Sequence, residues 1–422
     1  MHISLNSRLR RLVFGTTCIA AIAFYLGLIG HHHLAVRLAA RPDPATLERA
    51  AILEPYNAEP RWKLGRYLLF VFQDPLKAIS QLEAAVALNP HVARYWLDLA
   101  SAYQVTGDIQ QQQSAIDHAL LAEPTDPNIA WEAANFYLVQ KDVSRAFPLF
   151  RLVMKNDPAN LSPALRLCWR ATQGVSRMLN EAVPAEPAPY FAFLKLLTDA
   201  DETAAAETVW NRLIGLGKPF AFSDAFPYFD YLINKRETAH AIDVWQQVVN
   251  RNSQLQGYSQ PGNLIVDGDL EKDLLNGGFD WRYTVIGPVQ LSYDTSEFNH
   301  GNQSLRMVFR GPAVADVGIF EYVPVEPNTR YRFSVYIKAQ DIESASGPRL
   351  SVADAYSDQS YVLTDDSLGT TGWREQIGDF RTGAGTVLLI VKVTRVPAPP
   401  LIKGKFWIDN LKLCNIEKRL CS

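Results

Sequence analysis

Residues 93–124 read ARYWLDLASAYQVTGDIQQQQSAIDHALLAEP, and this stretch decides the fold. Trp96, Leu99, Ala100 and Tyr103 fall on one face at helical spacing. Gly107-Asp108 then stops the helix. Ile116 and Ala119 carry a second apolar stripe, and Pro124 closes the unit. The same closure recurs along the chain. Asn89-Pro90, Glu123-Pro124 and Asp157-Pro158 are spaced by 34 residues, and Glu54-Pro55 precedes them by 35. Between the prolines, Ala85 and Ala119 are 34 apart, and Ala78 and Ala146 are 68 apart. A fixed period of this size predicts stacked helix-turn-helix units. No unit buries its own apolar face alone, so neighbours complete the core.

A length of 422 residues allows two or three folded units. A hydrophobic share of 48% with 20% charged residues suits globular structure, and a net charge of −3 offers no basis for nucleic-acid binding. Four cysteines are too few for a disulfide scaffold. Cys18 and Cys168 read as buried thiols, whereas Cys414 and Cys421 are positioned either to pair in an oxidising compartment or to leave Cys421 as a terminal thiol.

The N-terminus reads as an anchor. Arg8, Arg10 and Arg11 precede nineteen uncharged residues, Leu12 to Gly30. At ~1.5 Å per residue this run matches a hydrocarbon core ~30 Å thick. Arginines on its N-terminal side predict a cytoplasmic tip and an exported remainder. A cleaved signal peptide shares the basic start. Its apolar region is usually shorter, however, and the nearest small-residue site, Leu38-Ala39-Ala40, fits poorly. An uncleaved anchor over residues 1–37 is the expectation. His31, His32 and His33 follow the run as a polar collar, not a metal site, because three consecutive imidazoles cannot face one ion from a helix.

From residue 42 to 255 the period predicts antiparallel helices, with later hairpins near Tyr190–Thr198, Thr203–Gly215, Asp224–Asn234 and Thr238–Asn250 and a kinked joint at Glu181–Pro189. Trp96, Leu99, Ala100, Tyr103, Ala119 and Pro124 resemble the tetratricopeptide repeat pattern. Ala133, Ala134, Tyr137, Ala146, Phe150 and Pro158 follow it, as do Leu64, Gly65, Ala78, Leu82, Ala85 and Pro90. With the later hairpins the count reaches five repeats, and the resemblance implies that their first helices line a concave, peptide-binding groove. Carried by register, the groove rows are Trp62, Leu97 and Trp131; Arg66, Ser101 and Asn135; and Glu59, Arg94 and Asn128. Aromatic and amide groups there suit an extended peptide, whereas a plain packing role for Trp62 and Trp131 is the competing reading.

After a turn-rich linker at residues 256–262, alternation replaces the helical period. Tyr331, Phe333, Val335 and Ile337 alternate cleanly, with further runs at Gln303–Phe309, Thr386–Arg395 and Lys405–Leu413. Residues 263–422 are therefore expected to form an all-β jelly-roll sandwich of eight or nine strands. Asn263-Leu264-Ile265 with Gly268-Asp269-Leu270-Glu271, the run Gly301 to Met307, Pro327 to Ser334, Thr371-Gly372-Trp373 and Phe406 to Leu411 resemble the galactose-binding-like carbohydrate-binding modules. The resemblance implies a glycan ligand and a structural calcium at Asp269, Glu271 and Asp409. Sugar stacking needs exposed aromatics, and Trp281, Tyr283, Tyr293, Tyr356 and Tyr361 are the candidates. The loop Asp354 to Asp366 is the most site-like patch, and Trp373 and Trp407 are assigned to the core.

Catalytic signatures are missing from the sequence. There is no phosphate-binding Gly-x-x-x-x-Gly-Lys-Ser/Thr loop and no Gly-x-Ser-x-Gly elbow, and no histidine has zinc-site spacing. The expectation is a membrane-anchored scaffold on the periplasmic side of an inner membrane, not an enzyme. It would hold a protein partner in the groove and a polysaccharide on the sandwich, in envelope or extracellular polysaccharide assembly. A tethered glycan receptor with the repeats as spacer, and a purely structural assembly factor, are the alternatives.

Overall fold

The computed structural model describes residues 8–41, 43–312, 314–398 and 401–418. The chain divides into two compact units, residues 1–185 and 186–422. The described residues of the first unit form helices: α1 (Arg8–Ala39), α2 (Pro44–Leu53), α3 (Ala58–Phe70), α4 (Pro75–Leu88), α5 (Ala93–Thr106), α6 (Ile109–Ala122), α7 (Pro127–Val139), α8 (Val143–Asn156), α9 (Leu161–Thr172) and a short turn α10 (Val175–Arg177). Consecutive helices pair as hairpins, and the 34-residue beat marks the turns between them. Pro55, Pro90, Pro124 and Pro158 directly follow the ends of α2, α4, α6 and α8. Asp43, Asp74, Asp108, Asp126 and Asp142 accept hydrogen bonds from first-turn amides of α2, α4, α6, α7 and α8, which fixes the start of each. Ala78, Ala85, Ala119 and Ala146 are fully buried at the crossings, where small side chains let helices approach closely.

The C-terminal end of α1 is built into the first hairpin. Ala39 near its C-terminal end packs with Leu47, Ala50 and Leu64, and Ala35 is buried as well. Among the described residues, α1 alone is long and apolar enough to cross a membrane.

The second unit begins with four helices, α11 (Pro187–Asp199), α12 (Thr203–Gly215), α13 (Phe226–Asn234) and α14 (Thr238–Arg251). The joint before them contains a π-helical turn, Met178–Ala182. Ten strands follow among the described residues: β1 (Arg282–Tyr283), β2 (Val289–Asp294), β3 (Ser304–Pro312), β4 (Asp316–Pro324), β5 (Arg330–Glu343), β6 (Arg349–Asp354), β7 (Ser360–Leu363), β8 (Gly369–Arg381), β9 (Leu388–Thr394) and β10 (Leu401–Asn415). They form two five-stranded antiparallel sheets, ordered β1-β4-β9-β6-β7 and β2-β3-β10-β5-β8. Tyr331, Phe333, Val335 and Ile337 of β5 all point into the core between the sheets, as period-2 alternation requires.

The segment before β1 enters along β10. Asn263 donates to the Leu411 carbonyl and accepts from the Leu413 amide. Gly268 lies so close to β10 that an added Cβ would meet the Leu411 oxygen at 2.3 Å, so the position needs glycine.

In this unit the strands grip the last helical hairpin. Phe279 sits edge-on to Phe229, with centroids 4.7 Å apart, and edge-on to Trp245 at 6.2 Å. Arg282 pairs with Asp230 at 2.6 Å and lies over the rings of Phe229 and Tyr322. Gly278 has φ +62° and abuts Trp245, whose ring an added Cβ would meet at 1.9 Å. The compact division thus joins α11–α14 to the strands, whereas composition changes only at residues 256–262.

Candidate functional site

The first helices of the hairpins carry a connected polar network. Asp98 of α5 is 1% exposed, yet it is a carboxylate. Its Oδ2 accepts from Trp62 Nε1 of α3 at 2.6 Å and lies 3.4 Å from Arg66 Nε. Its Oδ1 accepts from Arg94 Nη2 at 3.1 Å, and Arg94 Nη1 reaches on to Glu132 of α7. Burial disfavours the Arg94 charge, but Asp98 and Glu132 more than offset it and raise its pKa. One buried acid therefore orders side chains from three successive repeats along a single face.

Beside this network lies a pocket of about 330 Å³, lined by Gln104, Trp131, Glu132, Asn135, Phe136 and Val139. Trp131 is half-buried and braced edge-on by Phe150 at 5.6 Å. Asn135 donates to the Trp131 carbonyl, and its amide oxygen has no hydrogen-bond partner among the described residues. An apolar floor with a free amide acceptor can hold one side chain and one backbone N–H of an extended peptide.

The sequence-predicted groove residues divide accordingly. Trp62, Arg66 and Arg94 meet at Asp98, and Trp131 with Asn135 forms the pocket. Asn128 is exposed at the start of α7, and Glu59 pairs with Lys63. Ser101 donates to the Leu97 carbonyl of its own helix. Leu97 is a correction. It is fully buried with Ala93, Ala119 and Ile129, because its face of α5 packs on the neighbouring helices. Asp98 was not anticipated, since a lone acid between Leu97 and Leu99 reads as a solvated helix position. Asp98→Asn should cost ~1–2 kcal/mol, because it weakens charge-assisted hydrogen bonds that are largely out of water. Chemical denaturation of the wild type and variant checks this.

On the sandwich, Tyr283 and Tyr293 line one cleft of about 600 Å³, with Leu274, Val285, Ile286 and Leu291 as apolar walls and Asp273, Gln290 and Arg310 among its polar groups. Tyr283 is 40% exposed, and the Tyr293 hydroxyl donates to the Lys272 carbonyl. The other aromatic candidates are corrected. Trp281 is wholly buried in the sandwich core and presents no face to a sugar. Tyr356 shares a 2.9 Å hydrogen bond with Thr238 of α14 and lies beneath Arg236, so it is a docking residue. Tyr361 stacks on Phe380 at 5.2 Å and bonds Thr386 and the Gly383 amide, which covers one ring face. The loop 354–366 is therefore split between two environments. Trp407 is 2% exposed and bonds Asp294, in keeping with a core role.

The three carboxylates assigned to calcium serve the main chain as arranged here. Glu271 accepts from the Asn302 and Gln303 amides, and Asp409 from the Asn299, His300 and Asn410 amides. Asp269 shares a hydrogen bond with Asp267. Among the described residues no group of three or more His, Cys, Asp or Glu side chains is disposed to hold a metal ion. Cys168 is buried and free, Cys18 is free, and Cys414 is disulfide-bonded, while Cys421 lies outside the described residues.

No family model matches the chain, and no curated protein matches it. Among solved structures it is similar to MamA, at 19% identity over 38% of this chain and 88% of that one, with a TM-score of 0.30. It is also similar to the CBM22-1 xylan-binding domain of Paenibacillus barcinonensis Xyn10C, at 18% identity over 35% of this chain and 92% of that one, TM-score 0.25. A third likeness is to pilF of Pseudomonas aeruginosa, at 12% identity over 52% of this chain and 90% of that one, TM-score 0.26. The helical hairpins repeat at 34 residues, and the strands form a two-sheet sandwich.

Proposed function

We propose that this chain is a membrane-tethered scaffold whose repeat face binds an extended segment of a protein partner. The observation that carries the reading is the Asp98 network with the adjoining Trp131–Asn135 pocket, an ordered polar face beside an open apolar hole. Binding a strand-like peptide there orders few protein side chains, because Asp98 already holds Trp62 and Arg94.

The tether is α1. Its N-terminal arginines favour a cytoplasmic tip, which supports reading the repeats as lying on the periplasmic side of an inner membrane. Retention of the helix is supported by packing: cleavage near Ala40 would strip Ala35 and Ala39 from the first hairpin and expose Leu47 and Ala50. The sandwich contributes a second, glycan-directed cleft at Tyr283 and Tyr293. A role in envelope or extracellular polysaccharide assembly follows from joining these two activities on one membrane anchor. No catalytic role is part of this reading.

A photo-reactive benzoylphenylalanine at Val139, which is 68% exposed on the pocket rim, tests it in native envelopes. Expected is a cross-link to one partner that disappears when Trp131→Ala is added. Cross-links indifferent to Trp131→Ala would overturn the groove assignment.

A further inference from the structure

The turn between α2 and α3 has an environment that the scaffold reading does not use. α2 runs antiparallel to α1: Leu47 and Ala50 pack near Ala39, and Glu54 comes back to His32, with His32 Nδ1 and Glu54 Oε1 2.5 Å apart. The turn Glu54 to Asn57 is therefore held at the level of the histidine collar. His32 lies two residues beyond Gly30, the end of the apolar run. At 1.5 Å per residue that is ~3 Å past the hydrocarbon edge. The polar layer of a bilayer is roughly 5–8 Å thick on each side. Glu54 and its turn consequently fall inside that layer whenever α1 spans the membrane.

The side chains at this level match it. Tyr56 is 90% exposed and Ile52 76%, and neither has a partner among the described residues that would explain an apolar surface in water. Leu34, on α1 just above the collar, is 50% exposed. A tyrosine ring with a free hydroxyl is the side chain favoured where hydrocarbon meets headgroups. Asn57 donates to Glu54 at 2.7 Å, so the turn is braced from both sides.

We propose that the Glu54–Asn57 turn is a footing in the phospholipid headgroup layer, with Tyr56 and Ile52 inserted beside α1 on the exported side. The footing rests on the reading of α1 as a membrane span. With two insertion points, the first repeat is fixed in tilt against the bilayer and cannot swing freely about the anchor.

The test uses the full chain in phosphatidylglycerol–phosphatidylcholine nanodiscs, with 3-fluorotyrosine placed singly at Tyr56 or at Tyr25 of the apolar run. Fluorine linewidths are read with spin-labelled lipid headgroups, with lipids labelled mid-chain, and with an aqueous gadolinium chelate. Expected is a severalfold broadening at position 56 by the headgroup label, and at position 25 by the mid-chain label, with the chelate acting weakly on both. If position 25 responds to the mid-chain label while position 56 responds only to the chelate, the anchor stands and the footing is wrong. If position 25 itself responds to the chelate, the span reading fails and the footing falls with it.

Discussion

Phe279→Ala is expected to lower the stability of residues 186–422 by ~3–5 kcal/mol, the cost of emptying a buried aromatic site. Phe279 is 3% exposed and wedged between Phe229 of α13 and Trp245 of α14. Gly277 and Gly278 beside it place bare backbone, without a side chain, against Phe226 and Trp245. Among the other ties, the polar pairs Arg282 to Asp230 and Tyr356 to Thr238 are partly exposed, and such contacts contribute little. Calorimetry should therefore show one transition of the wild type split into two, with the strands and the last hairpin melting apart. A single transition shifted by less than one degree would mean that the plug does not couple them.

A second large effect concerns pH. Asp267, Asp280 and Glu321 are essentially inaccessible to solvent. Burial pushes the Asp267 carboxyl up to about 9, helped by the neighbouring Asp280 and by Asp269. Burial also raises Asp280 to about 7 and Glu321 well above the usual carboxylate range. The few amide hydrogen bonds these carboxyls accept favour the charged form but do not outweigh burial. Asp280 Oδ2 accepts from the Leu275 amide and Glu321 Oε1 from the Val266 amide, while the second oxygen of each has no partner. The folded chain thus keeps protons that the unfolded chain releases above about pH 4. Stability is full below that pH and is lost as pH rises towards the folded values, at ~1.4 kcal/mol per pH unit for each retained proton. These two carboxyls set the window, about pH 4 to 7 for Asp280 and about pH 4 to 9 for Asp267. Acids of the opposite kind, such as Asp294 held at about 2, act only at the acid end.

The melting temperature of the sandwich should accordingly fall between pH 5 and pH 8.5. Asp267→Asn should flatten that slope and raise the melting temperature at pH 8.5, because the amide is neutral and can still accept from the Lys272 amide. A flat wild-type profile, or a variant with the same slope, would show that the cluster titrates normally.

Much of the architecture was legible because it is periodic. The 34-residue proline beat marks turns after α2, α4, α6 and α8, and Thr203–Gly215 was delimited to the residue. Alternation at Tyr331 to Ile337 located the core face of β5. What escaped depends on contacts distant in sequence. Tyr356 looked like a loop aromatic open to a sugar, but its partner Thr238 lies 118 residues away on α14. Trp281 was a candidate for an exposed face, yet it is wholly buried, with Asp280 buried on one side of it and Arg282 paired to Asp230 on the other. Asp98 was invisible for a related reason: its value comes from Trp62 on the preceding repeat, 36 residues earlier. Register carried Leu97 into the groove along with Trp62 and Trp131, although the Leu97 side chain faces the helix packing.

The central claim is that the repeat face binds an extended peptide at Trp131 and Asn135. Calorimetric titration of the full chain with a peptide selected on it by display measures this most directly, alongside Trp131→Ala, Asn135→Ala and Tyr283→Ala. The account predicts at least a tenfold loss of affinity for Trp131→Ala, a smaller loss for Asn135→Ala and no change for Tyr283→Ala. Unchanged affinity in both groove variants would contradict it.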